Sequence, residues 1–103
     1  KSYSAHKRKM EFLVKELRIA KGDYTHISVS FNFPYTKSKK KSECIDKAFC
    51  YNKGDLYNYL KCLMDALECA KVIENDNMFC KLQAEKRWTT NETGFILFSF
   101  REF

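Results

Sequence analysis

Ile27-Ser28-Val29-Ser30-Phe31-Asn32-Phe33 alternates apolar and polar side chains without a break. Successive residues of an extended chain point to opposite faces, so one face of this stretch meets a core and the other meets water. It predicts a half-buried strand, stopped by Pro34, which has no N–H to give a ladder. A sheet with one apolar face needs a second layer, and the sequence supplies a helix on either side. Upstream, Met10, Leu13, Val14 and Leu17 recur at helical spacing within residues 3–19, with lysines on the other face and Lys21-Gly22-Asp23 as the stop. Downstream, Leu56, Tyr59, Leu60, Leu63 and Leu67 form one stripe of a helix running from Asp55 to Ala70.

The remaining segments read less regularly. Residues 36–54 show no period, carry Lys37, Lys39, Lys40 and Lys41, and end in a turn at Asn52-Lys53-Gly54. They read as a long basic loop, and long loops in small domains often carry function. Glu74-Asn75-Asp76-Asn77 is a polar turn, and Met78 to Ala84 a weakly alternating strand. Asn91-Glu92-Thr93-Gly94 reads as a hairpin turn into Phe95–Phe100, a continuous apolar run expected to be a well-buried strand. The expectation is an α+β fold: one domain over residues 1–103, with a small mixed β-sheet and two main helices packed on one face.

Composition narrows the function classes. A net charge of +6 over 103 residues favours a polyanionic partner. No run of about 18 uncharged apolar residues offers a membrane span, and no secretory signal is visible. The five cysteines (Cys44, Cys50, Cys62, Cys69 and Cys80) are odd in number and contain no CxxC pair. They read as reduced thiols, mostly small core residues, of a cytoplasmic protein. A cysteine-rich zinc or protein-interaction module is the reading from another class, and about one zinc per chain would support it. His6 and His26 lack metal-ligand spacing.

On the second helix, Asp55, Lys61 and Asp65 fall within about 60° of Asn58, opposite the apolar stripe. Lys61 leans toward the N-terminus of its helix, toward Asp55 and Asn58. Carboxylates that hold Mg²⁺ and a lysine that steadies charge on phosphate oxygens are the needs of a phosphodiester nuclease. Asp76, in the next turn, is the candidate second carboxylate. An ordinary account fits the same residues: a capping Asp, a solvated face with an i,i+4 Lys–Asp pair, and a turn rich in Asn and Asp.

Gly54-Asp55-Leu56-Tyr57-Asn58-Tyr59-Leu60-Lys61-Cys62-Leu63-Met64-Asp65-Ala66-Leu67 resembles the signature of the RusA type of Holliday-junction resolvase. That signature has an Asp-x-Asp-Asn start, then a Lys, then Asp-Ala-Leu. The family follows it with a short spacer, an acidic turn and a strand ending in a basic pair. Here Val72-Ile73-Glu74-Asn75-Asp76-Asn77 and Glu85-Lys86-Arg87 stand in those places. The likeness runs from about Tyr3 to the C-terminus and is specific over residues 54–87. The family's first strand and following loop have no counterpart, so an N-terminal strand is expected to be missing from the sequence.

The resemblance implies a homodimeric, Mg²⁺-dependent endodeoxyribonuclease, with Mn²⁺ as a substitute, that cuts four-way DNA junctions in recombination and repair. It implies no membrane partner and no small-molecule cofactor, and it suggests a phage, prophage or viral source. By resemblance Asp55 and Asp76 bind the metal, Lys61 is catalytic, Asn58 orders the helix start and Asp65 supports it. Lys37, Lys39, Lys40, Lys41, Lys86 and Arg87 are expected to contact DNA phosphates. The departure is Tyr57, where the family has a second aspartate; a phenol brings no charge to Mg²⁺ near neutral pH. The alternative is therefore a relative that binds junctions without cutting them. Trp88 suits packing better than base stacking and is given no role.

Overall fold

A computed structural model describes residues 2–39 and 41–102. The long alternating stretch forms the central strand β1, Tyr24–Pro34. It pairs in parallel with β2, Lys81–Thr89, and antiparallel with β3, Phe95–Glu102, in the order β2-β1-β3. The mixed sheet carries two helices, α1 (Ser2–Leu17) and α2 (Leu56–Cys69), so the α+β expectation holds.

Alternation explains which face the helices cover. Ile27, Val29 and Phe31 are buried and sit opposite Phe100, Phe98 and Ile96 of β3. Leu60, Leu63 and Leu67 of α2 complete this core with Val14 of α1, and Leu63 and Leu67 are 0% exposed. The other face carries Ser28, Ser30, Gln83, Glu85 and Ser99, which explains why it needs no cover. Cys62, Met64 and Ala66 are buried as well, because α2 meets α1 along one flank while it packs on the sheet.

Chain order matters more than shape for the site. β1, α2 and β2 form a β-α-β unit, in which the helix crosses between two parallel strands. Tyr59 in the first turns of α2 packs on Phe31 and Phe33, near the C-terminal end of β1. Beyond the last turn, Gly22 N–H donates to the Val72 carbonyl and Cys80 N–H to that of Thr25, both at the opposite end of the sheet. α2 thus runs against the strands and joins the two ends of the molecule.

Several expectations need correction. α1 stops at Leu17, with Arg18 in the left-handed region at φ 51°, ahead of Gly22. β2 starts at Lys81 rather than Met78, because Asp76–Met78 winds into a 3-10 turn first. Asn91–Gly94 does not close a hairpin between neighbours, since β1 lies between β2 and β3. β3 is an edge strand with Leu97 61% exposed, not a well-buried one. Cys80 precedes β2 and is exposed, as is Cys69; Cys50 and Cys62 alone of the five thiols are buried.

The basic loop is less open than its sequence suggests. A 3-10 turn covers Lys41–Glu43. Residues 47–50 then lie along the outer edge of β2. Lys47 N–H donates to the Trp88 carbonyl, Trp88 N–H to that of Ala48, and Cys50 N–H to that of Lys86. This strap satisfies an edge that would otherwise invite pairing with another chain.

Candidate functional site

The strap delivers the chain to Gly54, whose φ of 76° suits a residue without a side chain. A Cβ there would sit 2.5 Å from the Tyr59 hydroxyl. The sharp turn places Asp55 as the N-cap of α2, where Oδ1 accepts the Tyr57 N–H at 3.0 Å. The helix's partial positive charge favours the carboxylate, which keeps further lone pairs for another donor or a cation. Asp55, Asn58 and Lys61 are all exposed on α2. Asp65, one turn on, is half-buried in the seam with α1. It acts there with Glu11 and Lys7 on the Cys62 thiol, which is pushed up first by burial, then by the two acids, against the pull of Lys7.

Basic groups converge on the same end. Lys86 Nζ donates to the Gly54 carbonyl, tying β2 to the turn before Asp55. The Arg87 guanidinium donates twice to Glu85, once to the Lys47 carbonyl, and lies 4.2 Å from the centre of the Phe49 ring. These bonds hold the Glu85 carboxyl below its usual range and raise Arg87 further. Lys39 stands over the Tyr35 ring, which stacks on Trp88 at 4.8 Å. Trp88 is therefore a packing residue. Lys37 is exposed, Lys40 lies outside the described residues, and so does the Lys41 side chain.

Beside Asp55 opens a groove of about 750 Å³ between α1, α2 and the sheet. Leu13, Leu17, Phe33, Ile96 and Phe98 line it, and Lys9, Asp55 and Asn58 stand at its polar part. Sequence reasoning missed both this groove and the role of Lys9. The cue was present, since Lys9 precedes Met10 on a helix whose apolar side faces the groove.

Asp76 lies elsewhere. It opens the 3-10 turn after α2, and its N–H donates to Glu68 Oε2 at 2.9 Å. Glu68 is in the last turn of α2, thirteen residues beyond Asp55, a rise of about 20 Å. Asp55 and Asp76 are therefore held at opposite ends of the helix and do not meet within one chain. Among the described residues no three His, Cys, Asp or Glu side chains gather as a metal site.

Residues 1–96 match the family model described as endodeoxyribonuclease RusA. The chain belongs to the RusA family. RusA nucleases act on branched DNA, resolve Holliday junctions and are in general dependent on divalent metal. No curated protein matches the chain. Among the described residues, no helix is long and apolar enough to cross a membrane.

The RusA assignment orders the geometry. The Asp55 end of α2 lies at the C-terminal end of parallel strands, where sheets with crossover helices commonly bind ligands. It is the end that gathers Asp55, Asn58, Lys86 and the lysine-bearing loop. Tyr57, where the family signature has aspartate, is 69% exposed on the first turn beside Asp55.

Proposed function

We propose that this protein is a structure-selective endodeoxyribonuclease that resolves four-way DNA junctions by Mg²⁺-dependent hydrolysis, as a homodimer inside the cell. The observation that carries the reading is the Asp55 end of α2, where a family signature coincides with an exposed acid, amide and lysine under a basic loop. Asp55 and Asp76 are assigned to the metal, Lys61 to catalysis, and Asn58 and Asp65 to support. One chain does not bring the two acids together, so no chemical step is assigned to an ion within it.

The chain's own residues have separate tasks. Lys61, exposed and leaning toward the helix start, meets a phosphate oxygen and steadies negative charge as the diester bond breaks. Asn58 offers an amide donor one turn from Asp55. Lys37, Lys39, Lys40 and Lys41 hold the backbone of the DNA arms, an interaction without sequence preference and sensitive to salt. Lys86 and Arg87 already serve the fold, Lys86 through Gly54 and Arg87 through Glu85. Their DNA contacts use what capacity those bonds leave.

A second reading is favoured by one observation, Tyr57, which removes a carboxylate from the exposed first turn. In that reading the protein holds junctions without cutting them. A labelled four-way junction incubated with Mg²⁺ or Mn²⁺ separates the two. Symmetric nicks from the wild type, lost in Asp76→Asn, support the nuclease. Binding without nicks supports the second reading, and nicks gained by Tyr57→Asp would show that this position limits the reaction.

A further inference from the structure

The two proposed metal-binding acids belong to one reaction yet stand at the two ends of a helix. An ion held by two carboxylates needs both within about 2–2.6 Å, so the carboxylates themselves stand only a few ångströms apart. The α2 helix sets Asp55 and the Glu68–Asp76 contact about 20 Å apart. Side-chain rotation does not close such a gap. Bending α2 is opposed by Leu60, Leu63 and Leu67, each 8% exposed or less against β1 and its neighbours. Melting the turn at 71–75 is opposed by Val72 and Ile73, each 1% exposed, and by the Val72 N–H to Leu67 carbonyl bond of 2.9 Å.

A second copy closes the gap without moving anything in the first. A two-fold axis crossing α2 near its middle, close to Lys61, lays the Asp55 end of each copy against the Asp76 end of the other. One operation makes both pairings, so the contact is closed and isologous. Tyr57, Asn58 and Lys61 are exposed along that stretch of the helix, leaving a face open to a second copy. The ends are also complementary in charge. Lys9, Lys53 and Lys86 surround the Asp55 end, whereas Glu68, Glu74 and Asp76 dominate the other, with Lys71 as a basic group among them. Such pairing steers the two copies into one register.

We infer that each metal site is shared between two copies of this chain, Asp55 coming from one and Asp76 from the other. The inference rests on the nuclease reading and deepens it: the homodimer carries two identical sites, and a single chain carries none. Symmetric cutting of a junction then follows from the same axis that builds the sites.

The test uses a heterodimer. Asp55→Asn and Asp76→Asn chains with different affinity tags are co-expressed and purified through both tags. Asn caps a helix about as well as Asp, so the first variant keeps its fold. Each dimer of one variant has lost an acid from both sites. The mixed dimer has one site with both acids and one with neither. Mn²⁺ binding is read by the paramagnetic resonance of the free ion, and assembly by sedimentation. The expected result is half of the wild-type Mn²⁺ capacity in the mixed dimer and a large loss in each variant alone. Mixed dimers that bind no better than the variants, or as much as the wild type, would overturn the shared site, as would failure of the two chains to co-purify. A wild-type protein that binds no Mn²⁺ would instead remove the metal reading on which the inference stands.

Discussion

Replacing Lys71 with glycine should stabilise this protein, although glycine usually weakens folded structure. Lys71 follows α2 with φ at 61°, in the left-handed region. Its N–H donates to the Glu68 carbonyl at 3.0 Å, and Val72 N–H donates to Leu67 at 2.9 Å. That pair of bonds is a Schellman ending, whose left-handed residue is usually glycine. A side chain there costs about 1–2 kcal/mol. Glycine gives back about 0.5–1 kcal/mol through the freedom of the unfolded chain. Losing a lysine near the helix C-terminus costs about 0.3 kcal/mol more. The net gain is about 0.5 kcal/mol, or a Tm rise of about 2–4 °C for a domain of this size. Lys61→Gly, in the exposed middle of α2, makes the same chemical change with the opposite sign and should cost about 1 kcal/mol. Thermal unfolding followed by circular dichroism gives both numbers, with Lys71→Asn falling between wild type and glycine. A lower Tm for Lys71→Gly would refute the left-handed ending of α2, and with it the geometry that separates Asp76 from Asp55.

Other perturbations probe the site and its supports. Gly54→Ala forces a Cβ against Tyr59 at a positive φ and should cost about 1–3 kcal/mol by denaturant titration, with junction affinity falling as Asp55 shifts. Leu63→Ala, at a position with no exposure, should cost about 2–5 kcal/mol in the same measurement. Glu85 has its carboxyl held low by Arg87, so its contribution is present above the ordinary carboxylate pKa and fades as pH falls through the lowered folded value. Glu85→Gln should therefore be less stable than wild type at pH 7 and lose less stability on acidification to pH about 3, as read from unfolding curves across that range. Replacing Lys37 and Lys39 with alanine should weaken junction binding alike for all sequences and flatten the salt dependence by about one unit of slope for each phosphate left without its lysine.

Local pattern revealed the elements and hid their neighbours. β1 and α2 were legible because each carries its period within its own residues: Ile27, Val29 and Phe31 on one face, Leu60, Leu63 and Leu67 on one stripe. The place of β3 was not legible. Asn91–Gly94 has turn chemistry, but whether the next strand pairs with β2 or passes to β1 depends on contacts distant in sequence. The strap at 47–50 was hidden for a related reason, since its bonds to β2 are made by backbone groups that every residue has. At the site, Asp55, Asn58 and Lys61 came from spacing along one helix. The distance to Asp76 was also latent there, because thirteen residues of helix cannot return to their start. What the spacing lacked was any sign that the turn after α2 stays at the far end of the sheet, which the bonds from Gly22 to Val72 and from Cys80 to Thr25 secure.

The most direct test is a crystal structure of the assembled protein with Mn²⁺, located by its anomalous scattering. The account predicts two equivalent ions per two-fold dimer, each between Asp55 of one copy and Asp76 of the other. An ion held wholly by one chain, or dimers whose Asp55 and Asp76 carboxylates stay far apart with no ion near them, would contradict it.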